Sequence, residues 1–173
     1  NYPSMNKFYL LLILLISQSI YAQNDKSVTN EFIITGKVKN ERKVTISDLQ
    51  QFPTISINDI NTSCTPKKEE KTKSVKAVLL KNVLDSVQFD YQVKRNLGHY
   101  YFLFVSADGY KIVFSFNEIY NTEIGNNLYI VTELDGKKIE DLDSRILVLS
   151  TKDIRGGSRN IKGLSKIVVC KAE

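Results

Sequence analysis

The sequence predicts an α+β domain, mainly β-strands with a few short helices. Three observations carry that prediction. Runs rich in Val, Ile, Tyr and Phe recur along the chain between Gly, Pro, Asn and Asp. Two Asp-Gly pairs, Asp108-Gly109 and Asp135-Gly136, follow such runs as tight turns. Only short stretches carry helical spacing or helix-capping residues.

The N-terminal region reads as a leader. "MNKFYLLLILLISQSIYA", Met5 to Ala22, has one cation, Lys7, followed by an apolar run from Phe8 to Ile16 and then a short polar stretch. That is the layout of a secretory signal peptide, residues 5–22, cut after Ala22. Its apolar run is short for a bilayer-spanning helix. Asn1 to Ser4 read as an upstream extension, and no Cys near the cut marks a lipoprotein. The expected compartment is therefore periplasmic or secreted, with membrane contact only through the signal peptide during export.

Residues 23–30 read as a flexible N-terminus, and residues 31–171 as a single domain, long enough for a core without staples. The mature part carries one positive charge fewer than the whole chain's +5. The one basic cluster, Thr65 to Lys76, is interrupted by Glu69-Glu70 and reads as a solvated loop. No nucleic-acid partner is expected. In an oxidising compartment the two cysteines, Cys64 and Cys170, are free to pair, and a buried thiol at Cys170 is equally ordinary.

Along the domain, Glu31 to Val38 reads as a strand in which Gly36 marks a bulge or a close approach. Ser47 and Gln50 have capping-box spacing for a short helix ended by Pro53. Thr54 to Ile60 alternates as a half-buried strand. Val75, Val78, Leu79, Val83 and Leu84 predict an amphipathic helix over 75–87. Lys94 and Arg95 fall in a turn. His99 to Ala107 and "YKIVFSF" form a hairpin across Asp108-Gly109, and Ser115 with Glu118 caps a further helix. Leu128 to Leu134, Ser144 to Ser150 and Lys166 to Lys171 complete the strands.

The chemistry in these residues is sparse. The lone His99 opens a strand with no nucleophile motif pointing at it, so no catalytic residue is assigned. No Cys-x-x-Cys, His cluster or acidic metal loop occurs. Arg155-Gly156-Gly157-Ser158-Arg159 combines flexible amides with two guanidiniums, a composition for holding an anion, without the Lys and spacing of a nucleotide loop.

Taken in order, "ITGKV", "VTISDLQQFP", "KAVLLKNVLD", "VSADGYKIVFSFNEI", "VTELDGKKI", "RILVLSTKD" and "SRNIKGLSKIVV" resemble the oxidoreductase molybdopterin-binding domain family, the fold of sulfite oxidase's cofactor domain, in its small exported stand-alone members. The resemblance covers Phe32 to Val169. Its strongest piece is Asp108-Gly109-Tyr110, expected to be a structural turn with the Tyr110 ring packed on the domain and its hydroxyl near the turn. By position, the resemblance implies Cys64 as a thiolate ligand to molybdenum, and Arg159, with Arg155, as the contact for the pterin phosphate. The chain departs from the enzymes where Thr65-Pro66-Lys67 replace a Gly-Asn-Arg type signature, and it has one His. No twin-Arg pair precedes the apolar run.

Two expectations follow. One is a binding or accessory module without bound metal, whose target is a small anion, a pterin-like ligand or a periplasmic protein partner. The other is a molybdenum-cofactor oxidoreductase with Cys64 as metal ligand.

Overall fold

The computed structural model describes residues 28–60, 73–154 and 157–173. The expected signal peptide over residues 5–22, Cys64 and Arg155 lie outside the described residues.

Among the described residues, ten strands form two sheets. The first has the order β2-β1-β10-β5-β6, built from β1 (Glu31–Gly36), β2 (Arg42–Thr45), β5 (Tyr100–Ser106), β6 (Lys111–Ser115) and β10 (Leu164–Lys171). β1 and β10 run parallel, and every other neighbouring pair in it is antiparallel. The second has the order β3-β4-β7-β8, with β9 also on β7. It is built from β3 (Thr54–Ile60), β4 (Lys73–Leu79), β7 (Leu128–Leu134), β8 (Lys137–Lys138) and β9 (Val148–Ser150). Short helices join them: α1 (Ile46–Leu49), α2 (Leu80–Leu84) and α3 (Phe116–Asn121).

The main core lies between the inner faces of the sheets. Phe32, Ile34, Phe102, Phe104 and Phe114 meet Val78, Leu128, Ile130 and Val148, with Leu84 and Ile119 supplied by helices. Removing such fully buried apolar surface costs about 3–5 kcal/mol per large ring. A smaller cluster, Val75, Ala77, Tyr129, Val131 and Leu149, covers the opposite face of the second sheet.

Gly36 makes the close approach expected of it. Its φ is 91°, and a Cβ there would stand 2.3 Å from the Val169 carbonyl oxygen, so only glycine lets β1 and β10 meet at that point. The Asp108-Gly109 turn closes the β5–β6 hairpin. The Gly109 amide donates to the Ser106 carbonyl and the Ser106 amide to the Tyr110 carbonyl, with Gly109 at φ 92°. This is a hydrogen-bonded four-residue turn ended by a left-handed glycine. At the second turn Asp135 and Gly136 both take positive φ.

Three local expectations are corrected. The segment 75–79 is strand, and helix begins only at Leu80. Val75 and Ala77 face the small cluster while Val78 faces the main core, so the strand is apolar on both sides and imitates helical spacing. The first capping box uses Thr45 and Asp48 rather than Ser47 and Gln50. The strand expected from Ser144 starts at Val148, because Arg145 sits at φ 50° and breaks the extended run.

Candidate functional site

The expected site residues that the structure describes gather around Arg159. β6 delivers Phe114 to the core, and Ser115 ends the strand as the N-cap of α3. Its hydroxyl accepts from the Glu118 amide at 3.1 Å, while Glu118 Oε2 accepts from the Ser115 amide at 2.7 Å. That exchange leaves Glu118 Oε1 to accept from Arg159 Nη1 at 2.7 Å. Asp153 takes the rest of the guanidinium in a fork, with Nε to Oδ2 at 3.0 Å and Nη2 to Oδ1 at 2.7 Å. The guanidinium carbon lies 4.1 Å from the centre of the Phe114 ring, within cation–π range.

The turn residues reach the same loop. Asp108 accepts from the Ser106 hydroxyl and, at 2.9 Å, from the Tyr110 amide, which fixes the turn. The Tyr110 hydroxyl donates at 2.6 Å to the carbonyl of Ser158. The Tyr110 ring is 48% exposed, so its hydroxyl clasps the neighbouring loop rather than its own turn, and the ring is only half packed. The expected packing of Tyr110 is thus corrected in its partner. An aromatic hydroxyl on an exposed hairpin reaches across to the nearest carbonyl not already in a ladder.

Burial alone would raise the Glu118 carboxyl. The Ser115 amide and Arg159 outweigh it and hold the group below the usual range. Asp153 follows the same pattern, with burial opposed and overcome chiefly by Arg159. Arg159 itself is shifted upward, first by its hydrogen bonds to Asp153, against the effect of burial. The Ser106 hydroxyl lowers Asp108, with the Tyr110 amide adding to it.

This arrangement has a chemical consequence. One guanidinium faces two carboxylates, so the cluster carries one net negative charge. A phosphate arriving at Arg159 would have to displace Asp153 or Glu118 and meet the repulsion of both. The described part of the implied pterin-phosphate contact therefore does not fit a dianionic group. Glu118 was visible in the sequence as a capping residue, but its second partner was not, and nothing near Asp153 in sequence announced the fork.

His99 is exposed at the end of a 3₁₀ turn over Lys94–His99, where its carbonyl accepts from the Ala172 amide. Among the described residues Cys170 has no disulfide partner, and its thiol lies 3.7 Å from the Val168 carbonyl oxygen; its expected pairing with Cys64 lies outside them. Among the described residues no three His, Cys, Asp or Glu side chains stand together as metal ligands. A separate polar cleft of about 210 Å³ lies against Lys37, Asp90, Asn96, Tyr100 and Lys171, and neither Arg159 nor its partners line it.

No family model matches the chain, and no curated protein matches it. Among solved structures, the crystal structure of the sulfane dehydrogenase SoxCD from Paracoccus pantotrophus is similar, with a TM-score of 0.59 and 11% identity. The match covers 83% of this chain and 38% of that one, so the chain spans well under half the length of the protein it resembles. At this identity the likeness is one of fold, and it agrees with the expected class: α+β, mainly strands with a few short helices.

Proposed function

We propose that the chain is an exported binding or accessory module that keeps a sulfite oxidase-like cofactor-domain fold and works without bound metal. The observation that supports this reading is the state of Arg159. Its Nε and both terminal nitrogens are engaged by Asp153 and Glu118, which turns a would-be anion contact into a clasp for the 153–159 loop. Fold does not carry chemistry by itself, and the chemistry of a site rests on the residues at it. The module's target is a small anion, a pterin-like ligand or a periplasmic protein partner. The alternative, a molybdenum-cofactor oxidoreductase with Cys64 as ligand, draws on the likeness of fold to SoxCD.

The test is the molybdenum and pterin content of protein purified from its native envelope, with free thiols counted on the same sample. The module reading expects no stoichiometric molybdenum. Stoichiometric molybdenum with a protected Cys64 thiol would overturn it and make the chain an enzyme.

A further inference from the structure

The two sheets treat their outer faces differently. The outer face of the second sheet carries the small apolar cluster, which is buried, with Leu142 and Leu147 packed against it. In the first sheet the inner residues of β5 are buried while Tyr101, Leu103 and Val105 are only partly covered. None of these three belongs to either core cluster. A sheet face left to water ordinarily turns polar.

The register of this face is regular. One row crosses all five strands as Lys43, Ile33, Lys166, Val105 and Lys111. Cations and apolar residues alternate along it, so the lysines stand on every second strand, about 10 Å apart. The next row is Thr35, Val168, Leu103 and Val113, uncharged in itself, with the Thr35 hydroxyl donating to the Glu41 carboxylate at one end and Val113 48% exposed at the other. Lys43 is offset by Glu31 at 2.9 Å. Among the described residues, neither Lys111 nor Lys166 has a carboxylate within 4.0 Å.

We propose that this face is a docking surface for a protein partner with an acidic, amphipathic helix. Its apolar stripe would cover the Thr35–Val113 row and its carboxylates would meet the lysines. The spacing favours that occupant. Side chains two turns apart on a helix repeat at about 10.5 Å, close to the lysine spacing. Alternate side chains of an extended strand repeat at about 7 Å and do not match it. Lysine at the edge strands β2 and β6 is a common guard against edge pairing, but Lys166 lies on the central strand, where edge protection gives it no role. This surface is independent of the module reading and would dock its partner whether or not a cofactor is bound.

The experiment titrates the isotope-labelled protein with a synthetic helical peptide that carries glutamates two turns apart beside a leucine stripe, and follows backbone amide shifts. The expected result is shifts confined to the outer-face residues of β1, β5, β6 and β10. Lys111→Glu combined with Lys166→Glu, both at exposed positions, should weaken binding about tenfold. Val113→Thr with Val168→Thr, which keeps the branched shape, should weaken it severalfold. Shifts scattered over the whole surface, or an affinity unchanged in the charge-reversed protein, would overturn the proposal. So would shifts on this face that appear with vesicles of phosphatidylglycerol and phosphatidylcholine but not with the peptide. Concentration-dependent shifts without peptide would overturn it too, by assigning the face to a second copy of the chain.

Discussion

At the start of α1, Thr45 and Asp48 exchange backbone and side-chain hydrogen bonds, and at the start of α3, Ser115 and Glu118 do the same. The boxes are wired alike, each satisfying two amides that a helix start leaves open. They differ in reach. Asp48 accepts from both the amide and the hydroxyl of Thr45, with Arg42 adding only a field. Glu118 keeps one oxygen for the cap and extends the other to Arg159, 41 residues along the chain. The longer side chain explains the difference, since one more methylene lets a single carboxylate serve the cap and a tertiary contact together. The same local motif thus closes one helix and, at the other, also anchors a distant loop.

The largest effect should come from removing the hub. Arg159→Leu leaves Glu118 and Asp153 facing each other, partly buried and without a counter-charge. Stability measured by urea unfolding should fall by about 2–3 kcal/mol, since leaving a buried charge unpaired costs more than the pair contributes. A loss no larger than that of an ordinary surface change would mean the two carboxylates relax into water.

Acid should narrow that gap. In the wild-type protein Glu118 and Asp153 are held below their usual values. The stability they contribute is complete above the unfolded carboxyl range and is lost as pH falls through their folded values, below about 4. In the Arg159→Leu protein both groups lose the cation that lowers them and rise relative to the wild-type protein, so that protein loses less stability on acidification. The difference between the two proteins should shrink by about 1 kcal/mol between about pH 7 and about pH 3, a figure kept small by solvent at the half-open site. A gap constant with pH would show that the clasp acts by shape alone.

The smallest effect isolates the extra reach. Asp48→Asn weakens a cap, whereas Glu118→Gln weakens a cap and an ion pair. Thermal unfolding should find Glu118→Gln the more costly by about 0.5 kcal/mol. Equal losses would reduce Glu118 to its local role.

Much of the fold was legible in the residues. Thr54–Ile60 and Leu128–Leu134 form strands with the bounds their patterns predicted, and the Asp108-Gly109 hairpin turns where its chemistry requires. Patterning failed at Val75–Leu79 because period-two alternation vanishes when both faces are covered. It failed at Thr45 because Asp can stand at the third helical position in place of the longer Glu or Gln that defines the motif. Of the candidate site, the residue types from Arg155 to Arg159 suggested an anion contact. The carboxylates that occupy Arg159 come from α3 and from the far end of its own loop, so no single spacing rule along the chain announces them both.

The parallel pairing of β1 with β10 has a consequence for the life history of the chain. The strand at the centre of the first sheet comes last in the chain among the described strands, and both β1 and β5 depend on it for a neighbour. Until residues 164–171 are made, the hairpins β1–β2 and β5–β6 have no strand to join them, and the Phe102, Phe104 and Phe114 side of the second has no closed core to enter. Such distant pairing also slows folding, because a long loop must close before its contacts repay the entropy. Closure of the first sheet therefore waits on residues 164–171, while both of its hairpins and the whole second sheet come from earlier segments of the chain.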